Sequence, residues 1–247
     1  MTFSTELIDA GKPILNAIMD HPFIKGLASG NISKKALMFY VTQDWNYLNA
    51  YLKVDAAGIA KAENREDAQI FINSIDFLLS NESEAHKNFC AVAGVSYESL
   101  QHKHVAPLTE LYTDHMLVQG NKDLIDVAAG ILPCPWTYEE IADSLVKNGK
   151  NTKTNPFTPW INFYSGLTLP NDIGERDQDN ADTDATQGLM NLIDRLAPKY
   201  DQQRLNEVKD TFLRSCEMEW NFWDQAYYQK DWQFVSGVKL PELTVKH

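Results

Sequence analysis

A carboxylic acid stands among tyrosines at the spacing of one helical face. The series follows steps of four, three and four residues: Tyr40, Asp44, Tyr47 and Tyr51. Residues three and four positions apart share one face of an α-helix, so Asp44 is expected to turn inward with these tyrosines. An unpaired carboxylate is costly to bury, which makes an inward Asp44 a candidate for binding a polar group.

Two further carboxylic acids have similar surroundings. Glu82 precedes His86 by one helical turn, and Glu219 lies at helical spacing between Cys216 and Trp223. A single buried carboxylate is often a structural ion pair or a helix cap, and Glu82 and His86 could simply hydrogen-bond each other. Three such acids with aromatic neighbours favour a polar pocket within an aromatic-lined bundle.

Cys134 is set apart by a proline on each side, Pro133 and Pro135, which predicts an interruption of the helix. If Pro135 takes the first helical position, Cys134 becomes the N-cap. Unpaired N–H groups and the helix dipole would favour a thiolate there, and hence a nucleophile. The alternative is a small apolar residue packed at a kink. The other two cysteines, Cys90 and Cys216, are assigned to packing, and no disulfide framework is expected.

These residues must be positioned by helices, because apolar residues recur at helical spacing almost everywhere and no strand is predicted. Hydrophobic residues make up 44% of the 247 residues, so an all-α single domain with its own core is expected. Helices are predicted over residues 3–18, 33–51, 64–94, 107–120, 122–145 with an interruption at the prolines, 156–164, 189–196 and 201–230.

Charge and composition exclude several classes of partner. The net charge of -12 argues against nucleic acid, because neutralising phosphates requires clustered Lys and Arg. The start of the chain has no basic segment followed by an unbroken apolar run, and no later segment of membrane-spanning length is free of charge. We therefore expect a cytoplasmic protein that binds neither nucleic acid nor membrane.

One segment departs from the helical pattern. Residues from about 167 to 186 are rich in Asp and poor in apolar side chains, which predicts an acidic surface loop within a helical domain of residues 1–230. Its aspartates could suggest calcium, but the glycine and terminal glutamate of a calcium loop are not in register. Residues 231–247 are predicted to form a C-terminal tail.

Five stretches carry a family likeness, since they occur in the same order in TenA proteins. The stretches are HPFIKGLASGNISKKALMFYVTQDWNYL, NESEAH, LPCPWTYEEIA, PWINFY and EMEWNFWDQAYY. They extend over nearly the whole chain up to about residue 230, and the Pro-Cys-x-Trp-x-Tyr and Glu-x-x-Phe-Trp elements are specific. The chain therefore resembles the TenA or thiaminase II family.

The resemblance implies a haem-oxygenase-like helical bundle without haem, usually a homotetramer. No cofactor and no metal are expected. It also implies thiamin salvage, by hydrolytic replacement of a group on the exocyclic methylene of a 4-amino-2-methylpyrimidine. The leaving group is ammonia from 4-amino-5-aminomethyl-2-methylpyrimidine or the thiazole from thiamin, and the product is 4-amino-5-hydroxymethyl-2-methylpyrimidine. The motifs do not distinguish the preferred substrate.

The family's functional residues carry over by motif. Cys134 resembles the nucleophile and Glu219 the acid/base catalyst, for which a buried carboxylic acid with a raised pKa is suited. The resemblance implies these substrate-binding residues: Asp44, Tyr47, Tyr112, Tyr138 and Tyr164. Asp44 would bind the amino group of the pyrimidine, and Tyr47 would lie against its ring. Two features depart from the pattern. The acidic segment could reshape the mouth of the pocket and so bears on substrate choice, whereas Trp45, where the family commonly has tyrosine, is a mild change for an aromatic-lined site.

Two alternatives remain. A di-iron oxygenase would also be a helical bundle, but its site requires two Glu-x-x-His pairs and no Glu here has a His three residues later. A non-catalytic pyrimidine-binding or regulatory protein would keep the aromatic pocket without requiring a reactive Cys134. Metal analysis tests the first alternative, and substitution of the cysteine tests the second.

Overall fold

The regular structure is helical throughout residues 1–80, 83–167 and 185–241, which the computed structural model describes. Eleven α-helices lie in these ranges: α1 (Phe3–Met19), α2 (Pro22–Ser29), α3 (Lys34–Lys61), α4 (Arg65–Ser80), α5 (Ser83–Ala93), α6 (Pro107–Gly120), α7 (Leu124–Ile131), α8 (Pro133–Lys147), α9 (Thr158–Tyr164), α10 (Ala185–Leu196) and α11 (Gln202–Tyr228). Short 3-10 helices lie at Glu98–Leu100 and Ala197–Lys199. No strand occurs in the described ranges, and the all-α prediction is confirmed.

Two long helices begin at capping residues, and these lie where the sequence predicts the helices to start. Ser33 is the N-cap of α3, and its hydroxyl accepts a hydrogen bond from the N–H of Ala36 at 3.1 Å. Asp201 caps α11 in the same way, by accepting from the N–H of Arg204 at 2.9 Å. These side chains satisfy backbone donors that have no partner within the helix, so both long helices begin at defined residues.

Sequence reasoning missed α2, which follows α1 after a short break. His21 is its N-cap, because Nδ1 accepts from the N–H of Phe23 at 3.1 Å, and Pro22 takes the first helical position. Gly30 ends the helix with φ of 74°, a left-handed conformation that glycine adopts without steric cost. The proline start and the glycine end were visible in the sequence, but so short a helix displays little periodicity.

The single helix predicted over residues 64–94 is wrong. The structure has α4, which ends at Ser80, and α5, which begins at Ser83. Both helices pack against α3, but α4 also contacts α10 whereas α5 contacts α9. Since the two halves have different packing partners, their apolar residues belong to two separate faces rather than one continuous stripe.

The interruption at the prolines is a kink between α7 and α8, not a gap. Leu132 joins the two helices with φ of -53° and ψ of -37°, and α8 begins at Pro133. Pro135 has no N–H to offer the carbonyl of Ile131, and the hydroxyl of Tyr51 approaches that carbonyl instead, at 3.4 Å. The N-cap is therefore Leu132, which overturns the prediction that Cys134 caps the helix.

Two long helices hold the bundle together. α3 packs against α4, α5, α6, α7 and α11, while α11 packs against α1, α6, α7 and α8. The largest side chains of the core lie where these helices meet: Trp160, Trp223, Tyr40 and Tyr112 are all fully buried. Polar residues on the inward faces of α3 and α11 are thus placed among aromatic rings.

Parts of two sequence predictions lie outside the described residues. Most of the acidic segment, residues 168–184, and the last six residues of the tail are not described. α11 ends at Tyr228, close to the predicted domain boundary, and the indole N–H of Trp232 donates to the carbonyl of Val105 at 2.9 Å. Among the described helices none is long and apolar enough to cross a membrane.

Candidate active site

Asp44 lies on α3 with its carboxylate buried against a histidine of α5. Only 4% of Asp44 and 1% of His86 are exposed, and Oδ2 lies 2.6 Å from His86 Nε2. The second ring nitrogen, Nδ1, is 3.1 Å from the hydroxyl of Tyr97. The side chain of Glu82, the other partner considered for His86, lies outside the described residues. Asp44 thus turns inward, and one of its oxygens is held by a histidine.

Glu219 lies on α11 and faces a tyrosine of α6. Its side chain is buried, and Oε1 accepts a hydrogen bond from the hydroxyl of Tyr112 at 2.6 Å. Tyr112 in turn accepts from the hydroxyl of Tyr47 on α3 at 3.4 Å, and the centroids of these two rings are 4.8 Å apart. Three helices therefore contribute to a chain of hydroxyls that ends on a carboxylic acid.

The protonation of Glu219 is shifted by this environment. Burial raises the pKa of Glu219 from 4.5 to about 8; the hydrogen bond from Tyr112 lowers it, and the charge of Asp44 raises it. A carboxylic acid that keeps its proton near neutral pH can donate that proton to a bound base. Because Asp44 acts on Glu219, the two acids lie within electrostatic reach of each other.

Tyr138 of α8 connects this region to α9. Its hydroxyl lies 2.7 Å from the hydroxyl of Tyr40, and its ring centroid lies 4.9 Å from that of Tyr164. Burial, and after it charges that include those of Asp44 and Glu219, raise the pKa of Tyr138 well above its usual value. Tyr138 thus contacts the ring of Tyr164 and lies within electrostatic reach of the two acids.

Cys134 is half-buried in the first turn of α8. Burial raises the pKa of Tyr47 and of Tyr112 well above the usual value. A charge on Cys134 raises both values further, as does a charge on Glu219. The candidate nucleophile and the candidate acid therefore lie within electrostatic reach of the same two hydroxyls, although Cys134 is not the helix cap.

The other two cysteines have the surroundings of packing residues. Cys90 is 3% exposed and Cys216 is 0% exposed. Burial raises the pKa of Cys90 to about 11 and that of Cys216 still further, so both thiols keep their protons at neutral pH. A protonated, buried thiol is a poor nucleophile, which leaves Cys134 as the accessible one.

All seven residues predicted for the site come together in one region of the bundle interior. Sequence reasoning did not assign their immediate neighbours to the site: Tyr40, His86, Tyr97, Phe222 and Trp223. The ring of Tyr40 stacks on that of Trp223 with centroids 5.3 Å apart. Tyr40, His86 and Trp223 belonged to the predicted inward stripes, which was the available signal. Tyr97 follows α5 and lies in no amphipathic stripe, so its sequence carried no such signal.

The di-iron alternative requires a metal site, and the described residues also form a surface groove. Within residues 1–80, 83–167 and 185–241, no group of three or more His, Cys, Asp or Glu side chains is arranged to hold a metal ion. A surface groove of about 490 Å³ lies between α6 and α11, and its lining includes His115, Thr211 and Arg214 but none of the seven site residues. The buried acids and Cys134 therefore form a separate region.

The sequence matches a known family over most of its length. A sequence model of the TENA/THI-4/PQQC family matches residues 8–230, which is most of the chain. The chain belongs to this family. The matched range includes every residue of the candidate site.

A relative agrees with this assignment, and solved structures of similar proteins share the fold. The aminopyrimidine aminohydrolase of Staphylococcus saprophyticus is 30% identical over 242 residues, which cover 97% of this chain and 99% of the relative. A TenA homologue from P. horikoshii OT3 has a TM-score of 0.75 at 22% identity, over 92% of this chain and 99% of that one. A domain of unknown function with a heme oxygenase-like fold, from Shewanella denitrificans, has a TM-score of 0.64 at 14% identity, over 91% of this chain and 92% of that one. The two structures establish the fold alone, and they confirm the predicted haem-oxygenase-like bundle.

Proposed function

We propose that this chain is an aminopyrimidine aminohydrolase, which releases 4-amino-5-hydroxymethyl-2-methylpyrimidine from thiamin-related aminopyrimidines. The observation that carries the proposal is the buried Glu219, whose Oε1 accepts a 2.6 Å hydrogen bond from Tyr112 at the end of the hydroxyl chain from Tyr47, in a protein whose Cys134 is half-buried in the first turn of α8. A nucleophile and a proton donor beside one aromatic-lined space are what attack on a heterocycle requires. The name of the S. saprophyticus relative supports the same reaction class.

The first step is activation of the ring. A pyrimidine resists nucleophiles until a ring nitrogen is protonated, and Glu219, with a pKa of about 8, still holds its proton at neutral pH. Protonation draws electrons from the ring, and the sulfur of Cys134 then forms a bond to a ring carbon while its S–H bond breaks and that proton passes to the carboxylate that Glu219 has become. This addition ends the aromaticity of the ring.

The second step is replacement of the leaving group. In the adduct the electrons of the ring and its amino group expel the group on the methylene carbon, and the bond from that carbon to the departing nitrogen breaks. Water then forms a C–O bond at the same carbon and gives up a proton. The proton from water goes to Glu219 and replaces the one that departing ammonia takes, whereas the thiazole leaves without a proton. Finally the C–S bond breaks and the proton on the ring nitrogen passes to the sulfur, which restores aromaticity and the thiol of Cys134. Water has then taken the place of ammonia or of the thiazole.

Binding is assigned to the remaining site residues. Asp44 accepts a hydrogen bond from the amino group of the pyrimidine, while Tyr47 and Tyr138 provide aromatic surface for its flat ring. Tyr112 holds the acid, and Tyr164 borders the ring on the α9 side. The homotetramer implied by the resemblance and the cytoplasmic location expected from the sequence both stay predictions.

A side-by-side assay tests the function and its leaving-group preference. Purified protein is given thiamin or 4-amino-5-aminomethyl-2-methylpyrimidine, and release of the hydroxymethylpyrimidine is followed by chromatography. We expect turnover of one compound or both, and the ratio of kcat/KM values reports which leaving group is preferred. Binding of both compounds without any product would instead make the chain a binding protein of this fold.

A further inference from the structure

The carboxylate of Asp44 is held by a residue to which the proposed reaction assigns no role. His86 lies on α5, and its Nε2 is 2.6 Å from Oδ2 of Asp44 on α3. Both side chains are almost fully buried, so water does not compete for this contact. A carboxylate can only accept a hydrogen bond, so Nε2 is the nitrogen that carries the hydrogen.

The ring of His86 is itself held in place. Its second nitrogen, Nδ1, lies 3.1 Å from the hydroxyl of Tyr97, and the centroids of these two rings are 5.3 Å apart. The edge of Tyr40 contacts the ring from another direction, with centroids 6.4 Å apart. Contacts at both ring nitrogens therefore fix the orientation of the His86 ring. Metal-binding histidines are oriented in the same way, by a hydrogen bond to the second ring nitrogen.

From these contacts we propose that His86, oriented by Tyr97, is a positioning residue that fixes Asp44 for the amino group of the pyrimidine. The inference rests on the proposed function and extends it. The bond from His86 uses Oδ2, and Oδ1 is assigned to the amino group of the substrate. Without His86 the carboxylate would turn between rotamers, and the amino group would meet a misplaced acceptor.

Two substitutions of His86 separate positioning from mere packing. His86→Gln places an amide N–H close to the position of Nε2 and keeps the donor, whereas His86→Leu fills a similar volume without any donor. We expect His86→Leu to weaken binding of 4-amino-5-hydroxymethyl-2-methylpyrimidine about tenfold, the usual effect of a lost buried hydrogen bond. His86→Gln should bind it within about threefold of the wild type.

A second compound makes the test specific to the amino group. The same hydroxymethylpyrimidine without its 4-amino group cannot donate to Asp44, so its Kd should be equal in wild type and in both variants. In turnover assays His86→Leu should raise KM about tenfold and change kcat less than about threefold, because the nucleophile and the acid are untouched. Loss of folded protein would lower the apparent kcat and leave KM unchanged.

The chain offers a matched control and a second route. His21 is also a buried histidine facing a carboxylate, with Nε2 3.5 Å from Oδ1 of Asp224, outside the site. His21→Asn keeps a capping side chain for α2 and should bind both compounds as the wild type does.

If His86→Leu does not fold, Tyr97→Phe offers a second test. It removes the hydrogen bond between Tyr97 and His86 and should weaken binding of the amino compound alone, by about threefold.

The outcomes are distinguishable from failure of the proposed function. Calorimetry of wild type with the two compounds comes first, and equal affinity for both would overturn the role of Asp44 and the positioning role with it. Suppose that the wild type binds the amino compound more tightly. If His86→Leu then weakens binding of both compounds equally, or weakens binding of neither, His86 does not position Asp44, but the proposed function stands. The positioning role is supported if His86→Leu weakens binding of the amino compound alone and His86→Gln binds it nearly as tightly as the wild type does.

Discussion

The hydroxyl of Tyr112 donates a 2.6 Å hydrogen bond to Oε1 of Glu219, joining α6 to α11 inside the bundle. Two opposing effects meet at this contact. Burial favours the neutral acid, while the donated hydrogen bond favours the carboxylate, and the resulting pKa of Glu219 is about 8. The contact therefore sets the pH range in which Glu219 has a proton to give.

Replacing Glu219 by Gln should lower the rate of hydrolysis and leave binding intact. The amide keeps the size and polarity of the side chain but cannot protonate a ring nitrogen, so kcat should fall roughly 10²–10⁴-fold. The Kd of the hydroxymethylpyrimidine, measured by calorimetry, should stay within about threefold of the wild type. Glu217→Gln, at an exposed position of the same helix, is the control. Weaker binding with unchanged kcat would show that Glu219 is not the acid.

Activity should decline as the pH rises through about 8, because Glu219 then loses its proton. The raised pKa means that the acid is protonated below this value and ionised above it. A profile of kcat/KM measured from pH 6 to pH 10 checks the position of the decline, because kcat/KM reports the pKa values of the free enzyme. In Glu219→Gln the small residual rate should lack this decline, and a decline that persisted unchanged would have to come from another group.

Removing the hydroxyl of Tyr112 should move that decline to higher pH. The hydrogen bond from Tyr112 lowers the pKa of Glu219, so Tyr112→Phe leaves burial to raise it unopposed. The measurement is again kcat/KM against pH, compared with Tyr228→Phe, whose side chain is 56% exposed on the same bundle. A decline shifted to lower pH, or left in place, would contradict the assigned effect of this hydrogen bond.

Cys134→Ala should abolish hydrolysis while the protein remains folded. Without the sulfur no ring adduct forms, and the rate should fall on the order of a thousandfold or more. Circular dichroism and binding of the hydroxymethylpyrimidine should match the wild type. Cys90→Ala is the matched control, since Cys90 is buried elsewhere and its thiol keeps its proton. Retained turnover in Cys134→Ala would remove the covalent mechanism but not the fold.

Stability should depend on pH through Asp55, a buried acid of α3. Its Oδ2 accepts from Ser74 at 2.7 Å, Oδ1 has no hydrogen-bond partner among the described residues, and burial raises its pKa from 3.8 to about 8. Between about pH 4 and pH 8 the unfolded chain ionises this acid and the folded chain does not, so the free energy of unfolding falls as the pH rises.

Asp55→Asn removes this dependence and should stabilise the protein by roughly 1–3 kcal/mol at pH 7. The gain is less than the full ionisation cost because the amide brings a buried donor of its own. Denaturant unfolding at pH 4 and at pH 7 measures it, with exposed Asp76→Asn on α4 as the control. A gain that was the same at both pH values would show that ionisation of Asp55 is not its cause.

Local features of the fold could be predicted because they depend on neighbours in sequence. The N-caps at Ser33 and Asp201 and the boundaries of α6 at Pro107 and Gly120 follow from which side chains satisfy a helix end or stop it. The division between α4 and α5 could not be predicted, since each helix turns its apolar face to a different partner. Helix α2 was missed because eight residues carry too short a pattern.

The candidate site was predicted from the sequence, through spacing that turned Asp44 and Glu219 inward, where the structure has them buried, and through family motifs that named Cys134. The hydrogen bonds that Asp44 and Glu219 make could not be predicted from the sequence. Asp44 meets His86 across 42 residues of chain, and Tyr112 meets Glu219 across 107, so these hydrogen bonds depend on how helices pack. Spacing along one helix determines which side chains face inward, but the pairing of those side chains and the resulting pKa of Glu219 arise only when several helices exclude water together.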